Sequence, residues 1–179
     1  MNSPHPLESF QFCPKCGSPR FVIHNFKSKK CEVCEFVYYF NSSAATAAFI
    51  FDSNGRLLIA KRAHEPAKGT LDLPGGFVDL HETAETAIQR EILEETGLIV
   101  DHPQYLFSLP NIYRYSNFDV HTVDLFFQCQ TNDLSHLRAD DDVAELFFLE
   151  MEAIQPELFG LNSIQKAVRL FIQPISVRI

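Results

Sequence analysis

"GGFVDLHETAETAIQREILEETGL", residues 75–98, predicts a helix that ends in a cluster of acidic side chains. Glu91, Glu94 and Glu95 are spaced i, i+3 and i+4, so they lie side by side on the helix surface. Gly97 is placed to end the helix, and the helix dipole is negative at that end. The three carboxylates therefore repel each other and the dipole as well, and such an arrangement needs a physical reason.

Two interpretations of this acidic end stay open at the level of the residues. Clustered glutamates are usually a solvated surface, but Arg90 is the single Lys or Arg of residues 75–98. Divalent cations would make three neighbouring carboxylates favourable. Oxygen ligands favour Mg²⁺ or Mn²⁺, and Mg²⁺ commonly shares its coordination shell with substrate phosphates.

The spacing of the fixed residues resembles a complete Nudix box. The match reads Gly76-x5-Glu82-x7-Arg90-Glu91-Ile92-x-Glu94-Glu95-x-Gly97-Leu98, and the resemblance extends over about residues 41–174. It implies an α/β fold, a Nudix α/β/α sandwich with a mixed sheet. It also implies Mg²⁺-dependent hydrolysis of a nucleoside diphosphate linked to another moiety.

The resemblance further implies a role for each residue of the box. Glu91, Glu94, Glu95 and the Gly76 carbonyl would bind two or more Mg²⁺ or Mn²⁺ ions, Arg90 would orient the carboxylates, and Glu82 would bind Arg90 or the loop. The proton of the attacking water would pass to one of the glutamates or to a downstream acidic residue. Asp141, in the run 140–142, aligns best with that residue, although a turn or helix-cap cluster explains the run equally well.

Two C-x-x-C pairs precede the box. They comprise Cys13, Cys16, Cys31 and Cys34, with fourteen residues between the pairs. This spacing is typical of a structural zinc site. Two disulfides are the alternative, which a reducing compartment disfavours. We therefore predict a zinc ribbon over residues 1–40, with short strands at 20–26 and 36–40, followed by a Nudix domain over residues 41–179.

Charge limits the partners of this protein. The chain of 179 residues has a formal net charge of −8, which argues against nucleic-acid binding by bulk electrostatics. Residues 10–40 carry five basic and two acidic side chains, a net +3 that four zinc-bound thiolates would nearly cancel. A structural clip or a dimer contact is the favoured role of the ribbon. The Nudix resemblance implies that a homodimer is possible. Ligand sensing through a non-catalytic Nudix fold, with the ribbon contacting a partner or nucleic acid, is the rival function.

A ribbon before a Nudix box is similar to the NADH pyrophosphatase branch, which carries S-Q-P-W-P-F-P-x-S after its box. The corresponding stretch here is "SLPNIYRYS" (108–116), a degenerate form of this motif that keeps Ser108, Pro110 and Ser116 and has Tyr113 in place of Phe. The Gln, the Trp and two Pro of the motif are replaced by Leu109, Asn111, Ile112 and Arg114. Candidate substrate contacts are Arg62, Tyr113, Arg114 and Tyr115, with the tyrosines stacking on a base and Arg114 meeting a phosphate. A surface loop with buried rings explains this segment equally well. NADH, ADP-ribose, FAD, a nucleotide sugar and a nucleoside triphosphate all remain candidate substrates.

The remaining elements follow from hydrophobic patterns. We predict strands in "ATAAFIF" (45–51), "RLLIAKRA" (56–63), "LIVDHPQYLFSL" (98–109) and "VHTVDLFFQCQ" (120–130), a loop in "PNIYRYSNFD" (110–119) and a closing helix in "SIQKAVRLFI" (163–172). Cys129 is expected to be a core cysteine. No apolar stretch is long enough to span a membrane, and the first residues lack the features of a secretory signal. We therefore expect a cytoplasmic protein.

Overall fold

The chain forms two compact units that divide after Ser42. A computed structural model describes residues 5–131 and 133–172. None of the helices in these two ranges has the length and apolar character needed to cross a membrane.

The first unit contains a three-stranded antiparallel sheet. Its strands are β1 (Phe21–Asn25), β2 (Ser28–Cys31) and β3 (Val37–Tyr39), in the order β1-β2-β3. The two predicted short strands are confirmed as β1 and β3. Strand β2 was not predicted, because "SKKC" has no apolar alternation to mark it. Cys13, Phe21 and Cys31 are buried together in this unit.

The second unit is built on a six-stranded sheet in which β4 is central. Its elements are β4 (Ser43–Phe51), β5 (Leu57–Arg62), β6 (Leu71–Asp72), α1 (Ala84–Thr96), β7 (Gln104–Tyr115), β8 (Phe118–Gln130), β9 (Val143–Leu149), two 3-10 turns (Met151–Ala153 and Pro156–Leu158) and α2 (Asn162–Ile172). The strand order is β6-β5-β4-β8-β7, and β9 lies outside this path and also pairs with β5. Strands β4 and β8 are parallel, whereas the other pairs are antiparallel. The predicted mixed sheet is confirmed.

Both faces of this sheet are covered by a helix, because β4 alternates its buried side chains between them. Phe49 belongs to the cluster that contains Val168 of α2. Ile50, the next residue, belongs to the cluster that contains Ile88 and Ile92 of α1. Successive side chains of a strand point to opposite faces, so a fully apolar strand binds a helix on each side. This is the predicted α/β/α sandwich. Cys129 is 2% exposed in the α1 cluster, as expected for a core cysteine.

Helix α1 has a defined beginning and end. The Thr83 hydroxyl accepts a hydrogen bond from the Thr86 N–H, and the Thr86 hydroxyl accepts one from the Thr83 N–H. Gly97 has a φ of 71°, and its N–H donates to the Leu93 carbonyl. A side chain is strained in this left-handed conformation, so glycine fixes the last turn, where the three glutamates lie.

The predicted loop at 110–119 is wrong. These residues form the end of β7 and the beginning of β8, joined by a turn at Ser116 and Asn117, which both have positive φ. Tyr113 pairs with Val120 across this hairpin. Pro110 suggested a loop because it lacks an N–H, but β7 is an edge strand, where that donor is dispensable. The predicted strand at 98–109 is wrong at its start, because β7 begins at Gln104 and not at Leu98.

Candidate active site

The acidic end of α1 is organised by one guanidinium group. Arg90 Nη1 donates to Glu91 Oε1 and to Glu94 Oε2, at 2.9 Å in each case. A positive charge therefore lies between two of the carboxylates that the sequence places side by side, and it relieves part of their repulsion. The same guanidinium group therefore fixes the positions of both carboxylates.

Arg90 is in turn held by Glu82. The carboxylate of Glu82 accepts from Arg90 Nε at 2.9 Å and from Nη2 at 3.0 Å, a bidentate pair with strong directional preference. Glu82, followed by Glu91 and Glu94, raises the pKa of Arg90. The Asp79 N–H also donates to Glu82 at 3.1 Å. Glu82 therefore bonds to both Arg90 and the loop, the two alternatives that the resemblance implied.

Glu95 differs from the other two glutamates because it is buried, with 7% of its surface exposed. Its Oε2 accepts from the Gly75 N–H at 2.9 Å. Burial raises the pKa of Glu95 well above its usual value, against the effect of this hydrogen bond, and the charges of Glu91, Asp72 and Asp142 raise it further. Burial also raises the pKa of Glu91, against the opposing effect of Arg90.

The loop at 74–78 brings its backbone against both β4 and α1. The Ala48 N–H donates to the Pro74 carbonyl at 2.9 Å, and the Thr46 N–H donates to the Gly76 carbonyl at 2.7 Å. A Cβ atom on Gly76 would lie 2.5 Å from the carboxylate carbon of Glu91. Only a glycine allows the backbone and this carboxylate to approach so closely.

Replacing Gly75 with Ala is expected to destabilise the second unit by at least about 2 kcal/mol. Gly75 has a φ of 146°, and a Cβ there would lie 2.2 Å from the Thr46 carbonyl oxygen, a backbone atom that cannot move aside. Gly55→Ala is the matched control, because Gly55 also has positive φ but open space around it. Chemical denaturation measures both. Equal losses of stability in the two variants would contradict the steric argument.

A cavity of about 400 Å³ opens beside the acidic end of α1. Its lining includes Gly75, Gly76 and Glu95, together with side chains from the sheet and from α2. The Phe77 and Tyr113 rings, both in its lining, form an edge-to-face pair with centroids 5.8 Å apart. This volume lies in the range of small-molecule sites.

The structure places three of the four predicted substrate contacts in this lining. Tyr113 and Tyr115 face the cavity, and Arg62 lies there between Asp72 and the Tyr113 hydroxyl. Arg114 is not among the lining residues. It follows Tyr113 on β7 and therefore points to the other face, where it pairs with Asp119 at 2.9 Å. The structure thus separates Arg114 from the other candidates.

The aspartate run at 140–142 is divided among three surroundings. Asp140 pairs with Arg138 at 3.2 Å. Asp141 has a φ of 51°, and its charge is close enough to Glu91 to raise the pKa of that glutamate. Asp142 lines the cavity and acts in the same way on Glu95. Asp141 remains a predicted base. Asp142 is a second candidate, which the resemblance to the family did not select.

Sequence reasoning missed several polar side chains of the cavity lining. They are Thr46, Asp72, Asn111, Thr122 and Asp124. Buried polar residues within strands were a usable signal, because "VHTVDLFF" interrupts an apolar strand with Thr122 and Asp124 on one face. The sequence does not show which other strands contribute side chains to that face of the sheet.

The four cysteines of the C-x-x-C pairs come together in the first unit. Their sulfur atoms all lie within 4.8 Å of one another. Cys13 Sγ lies 3.7 Å from Cys34 Sγ, and Cys16 Sγ lies 3.6 Å from Cys31 Sγ. Disulfide bonds are about 2.05 Å long. Sulfurs bound tetrahedrally at about 2.3 Å from zinc would be about 3.8 Å apart. The cluster therefore has the dimensions of a zinc site.

Backbone N–H groups favour the thiolate form of Cys31. Burial raises the pKa of Cys31, but the N–H groups of Cys34 and Val33 outweigh it and lower this pKa to about 6. Thiolate is the form of cysteine that binds metal.

The model of the NUDIX domain matches residues 41–170. The chain belongs to the Nudix family. The match covers most of the chain and includes the whole box, which confirms the resemblance and the hydrolase class that it implied.

Two relatives match this chain over different shares of its length. The chain is 33% identical over 140 residues to an ADP-ribose pyrophosphatase of Methanocaldococcus jannaschii, a match that covers 77% of this chain and 79% of the relative. It is 29% identical over 106 residues to the NAD-capped RNA hydrolase NudC of Vibrio cholerae, covering 59% of this chain but only 39% of that protein. The chain therefore spans most of the first relative and about four-tenths of the second.

A solved structure has the same fold. The NUDIX hydrolase from Nitrosomonas europaea superposes with a TM-score of 0.73 over 90% of both chains, at 21% identity. Such a likeness shows the fold alone.

Proposed function

We propose that this protein is a divalent-metal-dependent pyrophosphohydrolase that cleaves the diphosphate of ADP-ribose or of an NAD-like dinucleotide. The observation that carries the proposal is the position of the cavity. Gly76 and Glu95 of the box belong to its lining, and so do the Phe77 and Tyr113 rings. A diphosphate and the nucleoside attached to it can therefore bind together. The 33% identity to an ADP-ribose pyrophosphatase supports this substrate class.

The residues at the acidic end fit a Mg²⁺ or Mn²⁺ site. Glu91, Glu94, Glu95 and the Gly76 carbonyl would hold two or more ions, and all four offer the hard oxygen ligands that these cations prefer. The close approach of the Gly76 backbone to the Glu91 carboxylate brings two of these ligand groups together. When bound, such ions polarise the diphosphate and lower the pKa of a water molecule.

The protein's own residues position the reacting groups and accept a proton. Arg90 holds Glu91 and Glu94 in place, and the Gly75 N–H holds Glu95. The cavity walls bind the nucleoside and orient the diphosphate toward these carboxylates. The proton of the attacking water passes to a carboxylate oxygen there, with Asp141 and Asp142 as candidates beside the glutamates.

We further propose that the four-cysteine cluster binds one structural Zn²⁺. The sulfur spacing and the absence of bonded sulfur pairs among these four residues support it. A reducing cytoplasm suits free thiols. Cytoplasmic localisation and a homodimer remain predictions.

A panel of diphosphate compounds tests the proposal. The purified protein should hydrolyse ADP-ribose, NADH or both in the presence of Mg²⁺ or Mn²⁺, and should be inactive in excess EDTA. FAD, a nucleotide sugar and a nucleoside triphosphate complete the panel. If no member is hydrolysed with either metal, the enzyme proposal fails and the ligand-sensor alternative replaces it.

Mg²⁺ should also stabilise the protein in the absence of substrate. Binding to the folded state alone adds about 2.7 kcal/mol at a concentration 100 times the dissociation constant. We expect the unfolding temperature of the second unit to be several degrees higher in Mg²⁺ than in NaCl of equal ionic strength. Glu94→Gln should reduce this shift, whereas Glu85→Gln, in the first turn of the same helix, should preserve it. An unfolding temperature that neither Mg²⁺ nor Mn²⁺ changes would favour the interpretation of the three glutamates as a solvated surface.

A further inference from the structure

The cavity contains a buried carboxylate that the proposed mechanism does not use. Asp124 lies on β8, opposite Ala45 of β4, and is 6% exposed. It lines the cavity together with apolar side chains from the sheet and from α2, among them Ala47, Leu73 and Ile164. Burying a charged group in such surroundings is costly unless it is paired or hydrogen-bonded.

The hydrogen bonds of Asp124 come from two neutral hydroxyl groups. Thr122 donates to Oδ1, and Ser163 at the beginning of α2 donates to Oδ2. Both hydroxyl residues are themselves buried, at 3% and 0% exposure. The carboxylate is therefore fixed in position from two elements of the fold.

Asp72, the other buried aspartate of the cavity, is different because it is paired with Arg62. Within residues 5–131 and 133–172, none of the ion pairs involves Asp124. A carboxylate has about four acceptor sites and no donor when ionised. Two of those of Asp124 are taken by the hydroxyls, so a ligand group that donates hydrogen bonds suits those that remain.

Strand pairing places Asp124 close to the aromatic part of the cavity lining. Ala45 of β4 pairs with Asp124 and also forms an isolated bridge with Phe77, the residue after Gly76. Asp124 thus lies close in the sheet to Phe77, whose ring packs edge-to-face against that of Tyr113. A ligand whose diphosphate lies at the glutamates would present its nucleoside to Asp124.

We propose that Asp124 selects substrates whose nucleobase carries an exocyclic amine, as adenine does. This inference rests on the proposed function. An amine donates a hydrogen bond to the carboxylate. A carbonyl at the same place, as in hypoxanthine, would bring its oxygen lone pairs against those of the carboxylate, which is repulsive. A base also suits the walls better than the sugar does, because its flat faces can pack against apolar side chains and the Phe77 and Tyr113 rings.

The test compares two substrates that differ at this one group. We expect the wild-type protein to hydrolyse ADP-ribose with a kcat/KM about 10–100 times that for its hypoxanthine analogue. Asp124→Asn should bring this ratio close to one or invert it, because an amide can donate to a carbonyl. Asp52→Asn is the matched control. Asp52 is also a buried aspartate, at 7% exposure, but it bonds to Arg56 and is not in the cavity lining.

Binding of AMP and IMP, measured by calorimetry without turnover, separates this proposal from the proposed function. If neither substrate is hydrolysed, but AMP binds more tightly than IMP and Asp124→Asn removes this preference, the enzyme proposal fails and the selection by Asp124 stands. Equal affinities for AMP and IMP in the wild-type protein would overturn the selection, whatever the variant does. A second result would also overturn it. If Asp124→Asn has the same ratio of AMP to IMP affinity as the wild-type protein but a different ratio of AMP to 2′-deoxy-AMP affinity, the carboxylate binds the ribose and not the base.

Discussion

Glu95→Gln is expected to lower kcat/KM for ADP-ribose by roughly 10²–10⁴-fold. Glu95 is the one glutamate of the three that is buried and also lines the cavity. Gln has nearly the same shape, and its side-chain oxygen can still accept from the Gly75 N–H, the contact observed at 2.9 Å. The variant therefore removes the charge and leaves the packing in place. Steady-state kinetics in Mg²⁺ measure the loss.

The control for this variant is Glu85→Gln on the first turn of α1. Glu85 is exposed and outside the cavity lining, so this change should leave kcat/KM within about twofold. Thermal unfolding of both variants shows whether a loss of activity reflects a loss of structure. A Glu95→Gln variant that is folded and retains more than a tenth of the wild-type activity would refute the assignment of Glu95 to the reacting centre.

Cys31→Ser is expected to abolish zinc binding and unfold the first unit. Elemental analysis of the wild-type protein should give about one zinc per chain. Zinc contributes apparent free energies of about 10–16 kcal/mol to the folding of small zinc domains. The first unit needs such a contribution, because its buried cluster is small: Cys13, Phe21 and Cys31. Limited proteolysis should cut the variant at its lysines and arginines between residues 15 and 30 much faster than the wild-type protein.

Cys129→Ala is the matched control for this experiment. Cys129 is buried in the second unit and remote in sequence from the two C-x-x-C pairs, so the variant should keep its zinc and its protease resistance in the first unit. Wild-type protein that contains no zinc while its thiols remain free would disprove the zinc assignment.

The box was readable from the sequence because its parts are local. Residues 76–98 are mostly one helix and the loop before it, so spacing along the chain directly gives the side chains that share a surface. Gly97 ends the helix where the pattern indicates. The short spacing within each C-x-x-C pair is local in the same sense, and the four sulfurs do converge.

Residues 110–119 could not be assigned correctly by the same reasoning. Pro110 and Asn111 favour a loop locally, and only the position of β7 at the edge of the sheet makes a strand acceptable there. That strand sets the direction of each side chain, so Tyr113 faces the cavity while Arg114 faces away. Strand pairing joins distant parts of the chain, and one sequence does not reveal which strands pair.

The sequence by itself therefore determined the family, the acidic helix end and the cysteine cluster, since each depends on residues at fixed short spacing. Only the tertiary structure decided what surrounds the glutamates. Arg62, Asp72, Tyr113 and Asp124 come from four strands and meet in one cavity because β4 pairs with β8 and β5 lies on the other side of β4. The recognition of a nucleoside that we propose depends on these residues coming together, because hydrogen bonds and packing act over distances in space and not along the chain.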